Sequence, residues 1–188
     1  MRKKLSRKIK DIVTFIPWYF IHPRTVKRLG IIFKINPWVV PYYIIRKNTF
    51  LRLLPIFDSY VKTDSVVLDI GASFGYYSLY CTKILNAKKV IAFEPTAQSY
   101  NLLIDNLIKN NVDRVVTYRC AVGDKIDRIK LNYNLWGSGD NSIIEKDSWK
   151  YEWVDMITID SLAQSQVDFV KIDVEGAEYV VLKGMKKL

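Results

Sequence analysis

Beyond about residue 50 the apolar positions fall into blocks of two alternating kinds. In Phe50–Val61, Leu51, Leu54, Phe57 and Val61 recur at helical spacing, with Pro55 as a disturbance. Ser65–Leu68 is a short, nearly continuous apolar run and predicts a buried strand. Tyr76–Leu85 predicts a helix, and Lys88–Pro95 a second buried strand. Ser99–Lys109 carries Leu102, Leu103, Asn106 and Leu107 on one side of an amphipathic helix. Arg114–Val122 predicts a third strand, and Val167–Asp173 another. Strands this apolar, alternating with helices, are buried on both faces. The chain therefore predicts an α/β fold with a mostly parallel sheet covered by helices on each side. Internal repeats and low-complexity tracts are absent from the sequence.

The first quarter is patterned differently. Its apolar stretches, Ile12–Ile21 and Ile31–Ile45, are broken by Pro17 and by Lys34, Pro37 and Pro41. Ten apolar residues are too few to span a bilayer, and no small-residue cleavage site follows them. Charge separates the two parts further. Residues 1–52 hold 13 Lys and Arg against one acid, Asp11, whereas residues 53–188 hold 16 against 18 acids, so the net charge of +10 is an average of two unlike parts. We divide the chain accordingly into a basic, aromatic-rich extension (1–52) and a main domain (53–188). The extension is expected to be helical, packing Trp18, Phe20, Phe33 and Trp38 on the main domain. A second, compatible reading lays it on an anionic membrane surface. Nucleic acid would also attract this charge, but no base-reading motif accompanies it. Cys81 and Cys120 lie far apart without metal-ligand spacing and are read as reduced, buried thiols in a cytoplasmic setting. The single histidine, His22, beside Pro23, reads as a loop residue, so any chemistry must run without histidine.

The candidate chemistry begins at "VVLDIGASFGYYS" (Val66–Ser78). A strand ends in Asp69, and Gly71 and Gly75 follow where a helix should start. In a doubly wound sheet, ligands bind at the carboxyl ends of the strands. Gly71 allows a sharp turn, and Gly75 allows a ligand or the next helix to come close. The spacing is neither the dinucleotide fingerprint nor a phosphate loop, since no lysine follows. A carboxylate here would repel phosphate and suits a cationic or neutral group. The second strand ends in Glu94–Pro95, where an acid can accept ribose hydroxyls. The pair asks for an adenosine with a cationic, phosphate-free tail, which describes S-adenosylmethionine. Ala72 and Tyr76 belong to the same turn. Cys120 and Ala121, in "RCAVGD" (Arg119–Asp124), would border the adenine, or serve only as strand-end core.

The most specific stretch is "VDFVKIDVEGAEYVVLKGM" (Val167–Met185), which places Asp173 at a strand end and Glu175 and Glu178 at the start of a helix. With "LDIGASFGYYS", "AFEP" and "TIDSL" (Thr158–Leu162), it resembles the FkbM-type methyltransferases over roughly residues 60–187. The resemblance implies a Rossmann-like class I fold and an S-adenosylmethionine-dependent methyltransferase. Members mostly methylate hydroxyls, often of sugars or natural products. It also implies that Asp69, Gly71 and Gly75 line the methionine side, that Glu94 holds the ribose, and that Asp173 sits at the methyl-transfer mouth.

Methyl transfer to oxygen needs in-line alignment and removal of a proton. Asp173 and Glu175 are the candidate catalytic residues. With Glu178 they form an acidic cluster that could raise one carboxyl pKa, or alternatively hold Mg²⁺. Glu175 and Glu178 also suit a purely structural part in a first helical turn. Lys171 reads as a lysine with a buried stem on the strand face opposite its apolar neighbours. The acceptor is expected to be a small molecule or glycan, with Trp136, Trp149 and Trp153 around the polar loop Asn134–Ser142 as stacking partners or core. Base methylation fits worse, because "DVEG" stands where an Asn/Asp-Pro-Pro-aromatic turn would be needed. The family fold has more strands than this chain supplies. A C-terminally incomplete sheet is expected, with its edge covered by an oligomer or a missing segment. Two rivals remain: a degenerate, binding-only module and a nicotinamide oxidoreductase.

Overall fold

The computed structural model describes residues 24–35, 47–133, 150–162 and 166–188. In chain order its elements are β1 (Arg24–Arg28), β2 (Ile31–Ile35), α1 (Lys47–Tyr60), β3 (Val66–Ile70), α2 (Tyr76–Lys83), β4 (Lys89–Phe93) and α3 (Ala97–Lys109). There follow β5 (Val115–Tyr118), β6 (Ala121–Val122), β7 (Asp127–Tyr133), β8 (Lys150–Ile157), a 3₁₀ turn (Ile159–Ser161), β9 (Phe169–Ile172) and α4 (Glu178–Lys183). The apolar blocks become a wholly parallel four-stranded sheet in the order β5-β4-β3-β9. The chain steps outward from β3 to β5 and then returns to the other side of β3. That reversal opens a crevice at the carboxyl ends of β3 and β9. The sheet is parallel, as the pattern predicts, and the fold is Rossmann-like, as the resemblance implies.

Alternation along the strands feeds two separate cores. Val67, Val90 and Ala92 face α1, α2 and α3, with Leu54, Phe57, Leu79 and Leu103 packed over them. Val66, Leu68, Ile70, Ile91 and Phe93 face the opposite way, toward Val122, Ile159 and Val181. Pro55 lies inside α1. An interior proline costs about 3 kcal/mol. Burying Leu54 and Phe57 stabilises by about 1.5–3 kcal/mol each, so packing outweighs it.

Two expectations are corrected here. The extension is not helical over Arg24–Ile35: it forms an antiparallel hairpin with Arg28 opposite Ile31. Leu29 and Gly30 both have positive φ, 49° and 77°, the two-residue turn whose twist matches paired strands. Every second residue of β2 (Ile31, Phe33 and Ile35) is buried in the same core as α2 and α3. Phe33 thus packs where expected, while Trp18, Phe20, His22 and Trp38 lie outside the described residues. The second correction concerns Arg114–Val122, which is not one strand. β5 ends at Tyr118, and Ala121–Val122 pairs instead with Met156–Ile157 in a second sheet, ordered β6-β8-β7. The intervening Cys120 is thereby turned inward. Among the described residues no helix is long and apolar enough to cross a membrane.

Candidate active site

The crevice is a cavity of 320 Å³. Gly71–Phe74, Tyr76 and Tyr77 form one side, and Glu94 and Pro95 the end of β4. Cys120–Val122, with Ile129, Leu131 and Met156 of the second sheet, make an apolar wall. Lys171 and Asp173–Ala177 complete the lining from β9 and the turn after it. Of the expected residues, the structure brings Gly71, Ala72, Tyr76, Glu94, Pro95, Cys120, Ala121, Asp173 and Glu175 to this one cavity.

The turn after β3 is tightly specified. Gly71, Ser73 and Gly75 all have positive φ, at 77°, 52° and 87°. For Ser73 such a conformation costs on the order of 1 kcal/mol or more. The turn is held by backbone donation from Gly71 and Ala72 to the Phe93 carbonyl, 2.9 Å each, and from Gly75 to Ala72. The Ser73 amide donates to Glu94 Oε2 at 2.9 Å. A Cβ on Gly71 would lie 2.0 Å from the carbonyl oxygen of Asp173, so only glycine lets β3 and β9 end this close together.

Glu94 is almost fully buried. Its Oε1 accepts from the Thr96 amide (3.1 Å) and hydroxyl (2.7 Å). With Ser73, three of roughly four acceptor positions of the carboxylate are filled. Room remains for about one ligand hydroxyl, fewer than the two expected. Burial pushes its pKa above 4.5, partly opposed by the Thr96 and Ser73 hydrogen bonds and by Lys171.

Asp69 and Gly75 stand off the cavity. Asp69 is buried beneath its floor, where Oδ2 accepts from the Ser78 hydroxyl at 2.6 Å and Oδ1 pairs with Lys171 Nζ at 3.0 Å. Its charge is therefore already matched inside the protein, and the carboxylates exposed along the cavity are those of Asp173 and Glu175. Gly75 serves helix packing: a Cβ there would meet Leu103 Cδ1 at 2.5 Å.

Lys171 does more than bury its stem. Its Nζ also donates to the Gly71 carbonyl at 2.7 Å and lies 5.5 Å from the Tyr77 ring centroid. Sequence reading missed this pairing with Asp69, although a signal exists. Each of "VVLDI" and "FVKI" has one charged residue, next to last in the strand, and the two are opposite in sign. In the parallel register they are direct partners.

Asp173 and Glu175 are exposed at the mouth. Glu175 precedes α4 rather than starting it and has a φ of 53°, with Gly176 at 97°. Glu178 does not line the cavity. It accepts from the Gly176 amide at 3.1 Å, and backbone hydrogen bonds lower its pKa rather than raise it. The three acids accordingly do not converge, and the described residues contain no group of three His, Cys, Asp or Glu able to hold a metal ion. Mg²⁺ does not fit this donor set. The Cys120 thiol is pushed up to about 11 by burial and then by Asp155, so at neutral pH it is an uncharged wall. Cys81 and Cys120 are both free and buried. Trp153 is exposed on the second sheet. Strand alternation puts it on the face opposite Val154 and Met156, so it is no wall of this cavity. Trp136 and Trp149 lie outside the described residues.

Comparison with known proteins adds an independent line. Residues 69–188 match the model of the Methyltransferase FkbM domain. "Methyltransferase 1" of Beauveria bassiana (strain ARSEF 2860) is 24% identical over 146 residues, 65% of this chain and 59% of that protein. "Methyltransferase sdnD" of Sordaria araneosa is 25% identical over 160 residues, 66% of this chain and 62% of that protein. The chain thus spans about three fifths of the length of these curated relatives. A crystal structure of a methyltransferase FkbM from Methylobacillus flagellatus KT aligns with a TM-score of 0.49 at 22% identity, covering 65% of this chain and 29% of that one.

Proposed function

The chain belongs to the FkbM methyltransferase family, and on that premise we propose that it binds S-adenosylmethionine in the crevice and methylates a hydroxyl of a sugar or natural-product-like small molecule. One observation carries the reading. A glycine turn, a buried ribose-type acid and an exposed carboxylate, from three different strand ends, border a single cavity. The residues fit the group. Gly71 keeps the floor low, Glu94 offers a remaining acceptor position, and Cys120, Ala121 and Val122 present an apolar edge for a base.

When bound, S-adenosylmethionine supplies a methyl group on a sulfonium centre, already a good electrophile. Glu94 orients the nucleoside through a hydroxyl. Asp173 and Glu175 place negative charge at the mouth, which would favour a cationic group there. Asp173 would take the proton of an acceptor hydroxyl brought to the mouth. General-base help of this kind contributes about 10²–10⁴-fold.

Calorimetric titration of the full chain with S-adenosylhomocysteine and, separately, NAD tests the cofactor. Binding of the former alone, weakened at least about tenfold in Glu94→Ala, is expected. Binding of NAD alone would overturn the reading. Methyl transfer to a panel of sugar and natural-product hydroxyls then identifies the acceptor. The basic excess of residues 1–52 supports an added contact with an anionic membrane. Sedimentation with phosphatidylserine vesicles, and not with phosphatidylcholine ones, is the expected outcome.

A further inference from the structure

The hairpin Arg24–Ile35 lies outside the residues matched by the family model and outside the cavity lining. It is nevertheless joined to the glycine turn by two routes. The first is polar. Asn106, on α3 and fully buried, uses its whole amide group. Its Oδ1 accepts from the Lys34 amide at 2.5 Å, and its Nδ2 donates to the Lys34 carbonyl at 3.0 Å and to the Phe74 carbonyl at 2.9 Å. One helical turn on, Asn110 holds Ile32 in the same way, accepting from its amide at 2.9 Å and donating to its carbonyl at 2.6 Å. Two side chains, one on α3 and one at its C-cap, thus stand in for a neighbouring strand along β2. One of them also grips the cofactor turn. The second route is aromatic. Phe33 stacks on Tyr76 at 5.3 Å and meets Phe74 edge-on at 5.9 Å, and both partners line the cavity.

We propose that this hairpin is a positioning element of the cofactor site: its docking on Asn106 and, through Phe33, on Phe74 and Tyr76 sets the conformation of residues 71–77, and ligand affinity depends on it. The turn holds Ser73 at a positive φ of 52°, a strained conformation that needs outside restraint. Phe74 draws part of its restraint from the same amide that binds the hairpin. Linkage makes the effect reciprocal, so a ligand held by the turn tightens the hairpin. The affinity half of the proposal rests on the cofactor reading above; the conformational half does not.

The test uses Asn110→Ala, which releases β2 at Ile32, gives up a backbone contact with Asn106 and touches neither the turn nor the cavity. Arg114→Ala is the control. It frees the Ala87 and Thr82 carbonyls and matches a general loss of stability away from the hairpin. Hydrogen exchange in the ligand-free full chain should quicken over 71–77 in Asn110→Ala but not in Arg114→Ala. S-adenosylhomocysteine should bind Asn110→Ala about five- to tenfold more weakly than wild type, and should slow exchange over 24–35 in the wild type. Faster exchange in the hairpin alone, with residues 71–77 and affinity unchanged, would overturn the proposal. So would equal effects in the two variants. Faster exchange over 71–77 in a chain that binds no S-adenosylhomocysteine would uphold the coupling and break the cofactor reading instead.

Discussion

Two turns leave the same edge of the same sheet, one after β3 and one after β9, and they are built in opposite ways. The turn at 71–77 is mostly buried, carries no exposed side chain and is held by β4, Glu94 and Asn106. The turn at 173–176 exposes Asp173, Glu175 and Gly176 and keeps two successive left-handed residues at the mouth. On the proposed function, the first is a shelf set in advance for the cofactor, and the second presents charge to the acceptor. The difference separates binding from chemistry: changes to the shelf should cost stability and affinity together, and changes to the mouth should cost turnover.

The largest expected effect tests what underlies the shelf. Lys171→Met leaves Asp69 buried without its partner, and removing one member of such a pair costs about 3–5 kcal/mol. Urea denaturation should show that loss, and adding Asn at Asp69 should recover part of it. Next, Gly71→Ala forces a Cβ against the Asp173 carbonyl. It should cost about 3 kcal/mol in denaturation and remove S-adenosylhomocysteine binding in calorimetry. At the mouth, Asp173→Asn should leave that binding within about threefold while methyl transfer falls roughly 10²-fold. Equal losses in both would erase the distinction between the two turns. Gly176→Ala is smaller still. A Cβ there meets nothing within 4 Å, so only the left-handed backbone resists it, at about 1 kcal/mol.

The smallest effect is in pH. The carboxyl of Glu94 is raised by burial above 4.5, so the folded state holds this proton more tightly than the unfolded chain. Its contribution to stability is therefore present below pH 4.5 and is lost as pH rises through the folded value. Stability relative to Glu94→Gln should decline over that window, whereas affinity for S-adenosylhomocysteine should rise, since a ribose hydroxyl donates to the ionised form.

The order of strands and helices, the carboxyl-end site and most of its lining were legible because each rests on local pattern. Apolar runs of four or five residues become the parallel strands, buried in β3 and β4 but only half-buried in β9, and Gly71, Glu94 and Asp173 stand just beyond these three. The part of Asp69 was misjudged for a physical reason. A lone carboxylate at a strand end looks available to a ligand, and its neutralising partner lies 102 positions away. The hairpin was illegible for another: Ile31, Phe33 and Ile35 alternate as a strand does, but three positions are too short a period to outweigh the prolines that follow and the surrounding basic charge.

What the sequence determined by itself was the class of fold, the edge of the sheet where ligands collect, and the residue types that crowd it. These follow from periodicity and from the special backbone freedom of glycine, which are properties of neighbouring residues. Tertiary structure alone decided which carboxylates face the cavity and which are neutralised beneath it, and that an asparagine on α3 ties the N-terminal hairpin to the glycine turn. Burial and pairing depend on residues far apart in the chain, and their energies arise only when folding brings those residues within hydrogen-bonding distance.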